Sequence, residues 1–300
     1  MKKILFFYFI GLLIFSCGNN VSTDPPQEIT LDDLFFGSDS TFEVVTWNIE
    51  HFPKAGVTTK NYVVQIILAI DADVFALQEI ESSTSFNYII TQLNEQDSVY
   101  SWDGYRATGA SYDVNLAYIY KNCIIQINDI YEIYQDDWYA FPRSPLVFEI
   151  TYENEELKVI NNHLKAGGYT EDEARRQEAS QKLQVFIDST FSDTNVIVVG
   201  DLNDDITEPQ GDNVFWNFIE DTENYLFADL PIAEGSYTKW SYPSWPSHLD
   251  HILITNELFD EYENSTVQTI LIDNYLDDGW HEYNENISDH RPVGMKFIFE

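Results

Sequence analysis

The chain has 300 residues, 44% hydrophobic and 15% aromatic, with 13 glycines and 10 prolines; such a composition builds a sizeable core and excludes a disordered or low-complexity chain. Length is only a soft prior on domain count, so one large α/β domain accommodates it. Its 51 acidic and 15 basic residues leave a net charge of −36, a field that repels nucleic acid at long range, favours cations and keeps the chain soluble, but says nothing about fold.

The N-terminal "MKK" and "ILFFYFIGLLIF" are a basic head and an apolar run of 12 residues, too short to span a bilayer comfortably and suited to an export signal. The run closes on "FSC" and resembles a lipobox, with Cys17 as the residue that becomes N-terminal and lipidated, although Phe15 is larger than is usual there. The expectation is a signal peptide over 1–17 and a bacterial envelope protein, periplasmic or cell-surface, whose membrane contact is the lipid on Cys17 alone. A plain signal-anchor is the competing reading. Cys123 is the one other cysteine, so a mature monomer, the expected state, has no internal disulfide. Residues 18–40, polar with a proline pair, read as a flexible tether, which leaves 41–300 as the folded domain.

After the tether, "FEVVTWNIE" is a β-branched strand signal. "NYVVQIILAI" places apolar residues at helical spacing, "DVFALQEI" reads as a buried strand, and "SFNYIITQLNEQ" is helical again. Strands follow at "VNLAYIY", "CIIQINDIYEIY", "SPLVFEITY" and "LKVINNHL". Thr170 and Glu173 then predict a capping box opening a helix whose apolar face carries Leu183, Phe186 and Ile187. "TNVIVVGD" is a short buried strand, "NVFWNFI" a short helix, and "DHILIT", "TVQTILI" and "PVGMKFIFE" are strands. Two clusters of strands with helices outside predict a layered sandwich.

Polar residues stand at the ends of one predicted strand after another: Asn48 and Glu50, Glu79, His163, Asp201 and Asn203, Asp250 and His251, Asp289 and His290. Any one of them is ordinary turn chemistry. Together they predict an oxygen-rich pocket with two histidines, suited to a hard cation such as Mg²⁺, Mn²⁺ or Ca²⁺. Zinc is disfavoured, because neither a CxxC pair nor an HExxH is present. A hard cation beside a His–Asp pair is equipment for metal-assisted phosphate-ester hydrolysis. His251 follows Asp250 in a strand and points to the opposite face.

The ordered series "TWNIEHF", "DVFALQEI", "NNHLKAG", "GDLND", "LDHIL" and "SDHRPV" resembles the endonuclease/exonuclease/phosphatase superfamily over about residues 43–296. The resemblance implies an α/β fold, a four-layer α-β-β-α sandwich of two packed mixed β-sheets with the site along one edge. It implies Glu79 as principal metal ligand with Asn48 and Asp289 beside it, His290 as catalytic histidine, and Asp250 as the carboxylate that orients it. Asp201 and Asn203 match the pair that aligns the attacking water and stabilises phosphoryl oxygens, and His163 a second histidine on the phosphate. Arg143 stands where some nucleases of the family contact phosphate. Arg175 and Arg176 read as a surface pair. Between Ile80 and Arg143 no further acid is evident to pair with His163, which departs from the pancreatic-type nucleases. Trp240 and Trp245 lie just ahead of Asp250 and are candidate substrate contacts, stacking on bases or resting on lipid; packing in the loop is the alternative. The expected function is a lipid-anchored, Mg²⁺-dependent phosphodiesterase, an endonuclease acting on extracellular DNA. A phospholipid (sphingomyelinase-like) or inositol-phosphate esterase is the alternative within the class, and an inert binding protein on the same fold is the alternative outside it.

Overall fold

Two strands with near-continuous burial form the centre of the first sheet: β1 (Phe42–Phe52) and, parallel to it, β2 (Val74–Ile80). The structure, a computed structural model, describes residues 31, 33–110 and 113–299; Cys17 and the signal segment lie outside them. The helices α1 (Val57–Ile70) and α2 (Ser83–Gln96) lie between and after these strands, followed by β3 (Trp102–Arg106) and β4 (Asn115–Lys121). The second sheet begins with β5 (Ile125–Glu132), β6 (Leu146–Tyr152) and β7 (Glu155–His163), then the long helix α3 (Thr170–Thr190) and β8 (Asn195–Asp201). Short elements follow: α4 (Trp216–Ile219), β9 (Tyr225–Phe227), α5 (Leu230–Ala233), β10 (Asp250–Thr255), α6 (Phe259–Glu263), β11 (Thr266–Thr269), α7 (Gly279–Asn286) and β12 (Val293–Phe297).

The strands assemble as two six-stranded sheets, β11-β12-β1-β2-β4-β3 and β5-β6-β7-β8-β10-β9. Each is mixed, with one parallel pair (β1/β2, β7/β8) among antiparallel neighbours. Three cores explain the four layers. Val44, Val74, Ala76, Phe148, Val159 and Ile252 fill the space between the sheets. Val63, Ile67 and Ile89 of the helices cover the outer face of the first sheet, and Leu183, Ile187 and Phe218 that of the second. Every central strand is thus covered on both faces, which is why these strands read as apolar runs. Each Ile or Phe buried there stabilises the fold by about 1.5–3 kcal/mol.

Three expectations need correction. Packing starts ahead of residue 41: Leu31, Leu34 and Phe36 are buried in the first core, and the amides of Phe36 and Gly37 donate to the Ile70 carbonyl at 3.1 and 2.8 Å. A free α1 C-terminus needs such donors, so the end of the presumed tether is recruited. Helix α3 is capped one residue early, at Tyr169, whose amide lies 3.4 Å from Asp172 Oδ2; Lys165 pairs with Asp172 at 2.8 Å and draws that carboxylate back over the turn. Arg176 is no surface residue. Only 3% exposed, it pairs with Asp204 at 2.7 Å and donates to the carbonyls of Lys165 and Gly167, fixing the loop after β7. Among the described residues no helix is long and apolar enough to cross a membrane.

Candidate active site

The site forms where the two sheets present their strand ends to each other. In the first sheet, the β1/β2 register shifts between Asn48 and Phe52, and an irregular strand end re-aims the side chains it carries. Glu79 and His51 adopt φ of 63° and 49°, a region that costs a non-glycine residue energy and recurs at functional sites. This strand-end irregularity delivers Glu79 to the edge, where its Oε2 accepts the His51 amide at 2.8 Å. Asn48 uses its Oδ1 for the Glu50 amide and donates Nδ2 to Asp201 Oδ2 at 2.9 Å, with Glu79 Oε1 at 3.5 Å.

In the second sheet, His163 pairs in register with Asp201, and Asp201 with Asp250. Register partners share a face of the sheet, so three strands project this row into one place. Gly200 is obligatory beside it: its φ is 147°, and a Cβ would lie 2.0 Å from the Asn162 carbonyl oxygen. The next turn puts Asn203 at φ 57°, its amide donating to Asp201 Oδ1 at 3.1 Å and its Nδ2 to the Leu164 carbonyl at 3.3 Å.

His290 arrives from the turn before β12. Its Nδ1 meets Asp250 Oδ2 at 2.7 Å, while Nε2 faces Asp201 Oδ2 at 3.8 Å and Asp289 Oδ1 at 3.9 Å. Ser288 fixes this turn by donating to the Asn48 carbonyl at 2.7 Å and accepting the His290 amide at 2.9 Å. Burial alone would discharge His290, but Asp250 and then Asp201 outweigh it and lift its pKa to about 10. Burial, with Asp250 adding to it and His290 opposing, raises Asp201 to about 7. His163 behaves oppositely: burial and the Arg143 charge hold it well below the usual imidazole range. Its Nε2 is 3.4 Å from Asp201 Oδ2 and 3.9 Å from Glu79 Oε1, and its buried Nδ1 has no partner. Among the described residues no carboxylate orients His163 as Asp250 orients His290.

The remaining candidates fall around this centre. Arg143 donates Nη1 to the Leu164 carbonyl at 3.4 Å. Burial lowers its pKa, while Glu79 and Asp201 raise it, so its charge bears on the site. Trp240 is half-buried, its indole N–H donating to the Ile232 carbonyl at 3.1 Å. Trp245 is 78% exposed and is the tryptophan of this loop with an open ring face. His251 points away from Asp250, as alternation requires, into contact with Asp229. His51, its side chain 65% exposed, contacts Glu81.

Several supporting residues escape sequence reasoning. Gln78 donates to Asn161 Oδ1 at 2.8 Å, and Asn161 donates to the Leu77 and Ala117 carbonyls, locking one sheet to the other beneath the site. Arg291 makes a two-pronged pair with Asp273 at 2.8 and 2.6 Å. Tyr283 accepts the Trp47 indole N–H at 3.0 Å and donates to the His290 carbonyl at 2.7 Å. Their signal is adjacency: Gln78, Asn161 and Arg291 sit beside or near Glu79, His163 and His290 within the motifs quoted above.

Asp201, Asp250 and His290 bring one donor atom each within 4.8 Å of one another, but Asp250 is engaged by the imidazole. Glu79 and Asp289 are the acids left to hold a cation. Burial raises the pKa of Asp289, and Glu50 and Glu79 raise it further; carboxylates gathered against their own repulsion, with the Asn48 amide alongside, suit a hard divalent ion.

This geometry places the protein among metal-binding phosphoesterase folds of the two-sheet sandwich class. A model of the endonuclease/exonuclease/phosphatase family matches residues 45–290, and the chain belongs to that family. Solved structures agree in fold. TDP2 from D. rerio in complex with a single-strand DNA product is 13% identical, over 86% of this chain and 99% of that one, with a TM-score of 0.63. The human Nocturnin catalytic domain with a bound sulfate anion is 17% identical, over 87% and 94%, with a TM-score of 0.63. An endonuclease/exonuclease/phosphatase from Bacteroides vulgatus is 13% identical, over 87% and 99%, with a TM-score of 0.61. Identities this low speak to fold alone. No curated protein matches the sequence significantly.

Proposed function

We propose that the protein is a divalent-metal-dependent phosphodiesterase, exported and lipid-anchored through Cys17, that hydrolyses DNA outside the cytoplasm. The observation that carries the reading is the 2.7 Å Asp250–His290 pair, with His290 Nε2 turned toward Asp201 and Asp289. A cation held by Glu79 and Asp289, with Asn48 beside it, would neutralise the scissile phosphate. His290, kept protonated by Asp250, donates Nε2–H to a phosphoryl oxygen where negative charge builds up. Asp201, set in register between His163 and Asp250, would accept the proton of the attacking water, and Asn203 would orient that water from the adjoining turn. His163 remains neutral and contacts the phosphate without adding charge.

DNA is favoured within the class by Arg143, whose cation stands beside the site of a chain that is otherwise strongly acidic. The single-strand DNA product bound by the D. rerio TDP2 of the same fold is consistent with this choice. One observation favours a phospholipid ester instead: Trp245 and Tyr237, 78% and 63% exposed, project from the loop that leads into Asp250, and such rings suit a membrane interface. The deciding experiment assays wild type and His290→Ala side by side, with Mg²⁺ or Mn²⁺, on supercoiled plasmid, RNA, sphingomyelin and inositol phosphates. Plasmid nicking lost in His290→Ala supports the nuclease. Sphingomyelin turnover with inert DNA, weakened on bilayers by Trp245→Ala, replaces it. For the anchor, Cys17→Ser should move the protein out of the membrane fraction; a wild type that is soluble and takes up no fatty acid refutes that part.

A further inference from the structure

Behind the site, on the opposite face of β10, lies a second acid–imidazole group: Asp229, His248 and His251, at 0%, 3% and 0% exposure. Their donor atoms lie within 4.8 Å of one another, a spacing that also suits a metal. The hydrogen bonds decide against one. His248 Nδ1 accepts the Ser241 amide at 3.2 Å, so the proton is on Nε2, which points at Asp229 Oδ2 at 3.0 Å; a metal-bound imidazole instead donates its outer nitrogen. His251 faces acceptors with both nitrogens, Asp229 Oδ2 at 2.7 Å and the Asp204 carbonyl at 3.0 Å, and therefore carries two protons. Asp229 is thus balanced by one imidazolium, and its other oxygen accepts the Ile252 amide at 2.8 Å. The group is a closed, charge-neutral support.

His248 reaches the Asp250–His290 pair through Ser241. Ser241, fully buried, receives the Asp250 and Leu249 amides on its Oγ at 3.2 and 3.1 Å. Its carbonyl accepts the Arg291 amide at 2.7 Å. Ser241 therefore grips one partner of the Asp250–His290 pair and the neighbour of the other, from a loop outside both sheets. The acceptor of its own amide is His248. Tyr242, the next residue, sets its ring 4.8 Å from that of His290.

We propose that His248, held by Asp229 and His251, is a positioning residue for the Asp250–His290 pair and acts through Ser241. The proposal rests on the phosphodiesterase reading above. Its cost when broken is geometric, since a displacement of about 1 Å at a reacting group can lower a rate about 100-fold.

The test compares His248→Leu, His248→Asn and Ser241→Ala with wild type, using Mg²⁺-dependent hydrolysis of bis(p-nitrophenyl) phosphate and ring ¹⁵N spectra of the histidines. His248→Leu removes both hydrogen bonds; His248→Asn restores an acceptor near the Nδ1 position for the Ser241 amide. Expected is a kcat at least about tenfold lower in His248→Leu with unchanged KM and Mg²⁺ half-saturation, substantial recovery in His248→Asn, and a shifted His290 ring signal only in the impaired variants. A folded His248→Leu with wild-type kcat overturns the proposal, as does an asparagine variant no better than the leucine one. If the leucine variant does not fold, Ser241→Ala decides: unchanged kcat and an unmoved His290 signal refute the link. A wild type that cleaves no phosphodiester with any divalent ion refutes the functional reading instead, and the His290 ring signal still reports on the positioning.

Discussion

Asp250 and His290 are 40 residues apart in sequence and 2.7 Å apart in space, carboxylate oxygen to imidazole nitrogen. Asp250 is in register beside Asp201 in one sheet, and His290 enters from the turn before the other sheet's β12. The pair exists only because the two sheets pack face to face.

Loss of His290 should therefore be felt in the chemical step. His290→Ala is expected to lower kcat by about 10²–10³-fold, as removal of one positioned donor to developing negative charge does. Asp250→Asn should cost as much or less, and should lower the His290 pKa from about 10, since Asp250 is the largest contributor raising it. Steady-state kinetics with an NMR titration of His290 checks both; a pKa unmoved by Asp250→Asn contradicts the assignment.

Glu79→Gln keeps the shape of the side chain and removes its charge, which under the proposed mechanism is the site's main attraction for a hard cation. Mg²⁺ half-saturation should rise at least about tenfold, a change equivalent to about 1.4 kcal/mol. Chelation with excess EDTA should silence the wild type, and full turnover under EDTA would rule out the metal mechanism.

If DNA is the substrate, Arg143→Ala should weaken binding alike on every sequence, because a phosphate contact reads no base. The slope of log affinity against log salt should shrink by about one unit. A loss confined to particular sequences would mean that Arg143 contacts bases.

A fourth prediction concerns stability at the far end of the first sheet. Glu43 is fully buried, with its carboxyl bonded to Thr41 and beside Asp73. Burial, and secondarily Asp73, raises its pKa from 4.5 to about 8. The folded state thus holds this proton more tightly than the unfolded one, so the protonated form's stability is complete below pH 4.5 and is lost as pH rises through about 8. Glu43→Gln, which mimics the protonated acid, should melt like wild type near pH 4.5 and at higher temperature above pH 8. Equal melting temperatures across that range would mean that Glu43 ionises freely.

Legibility in the sequence followed the range of the interactions. The central strands announced themselves, because residues covered on both faces, as in β2 and β8, must be apolar throughout. The edge strands β3 and β9 did not: Trp102–Arg106 has one buried residue and carries Asp103 and Gly104, residue types rare in strands, and Tyr225–Phe227 is three residues long. Thr170 and Glu173 formed a sound local capping pattern, yet Lys165 and Arg176 held the preceding loop so that Asp172 closed the turn. Leu34 and Phe36 looked like linker because five residues of sequence cannot show that α1 leaves a carbonyl in need of donors.

The sequence by itself determined the two sets of strands, the order of the motifs and the residue types at the strand ends, since periodicity and turn chemistry act over a few residues. Glu79, Asp201, Asp250 and His290 were all named there. Only the tertiary structure decided their partners. Sheet packing puts Asn48 on Asp201 and the His290 ring on Asp250, leaves His163 Nδ1 without a carboxylate among the described residues, turns Arg176 from an apparent surface charge into a buried clamp, and buries Arg291 against Asp273. It also sets His248 beneath the catalytic pair through Ser241. The Asn48–Asp201, Asp250–His290 and Arg176–Asp204 contacts join residues 153, 40 and 28 apart in sequence. A hydrogen bond across such a separation depends on register and sheet-to-sheet distance, and no local pattern encodes either.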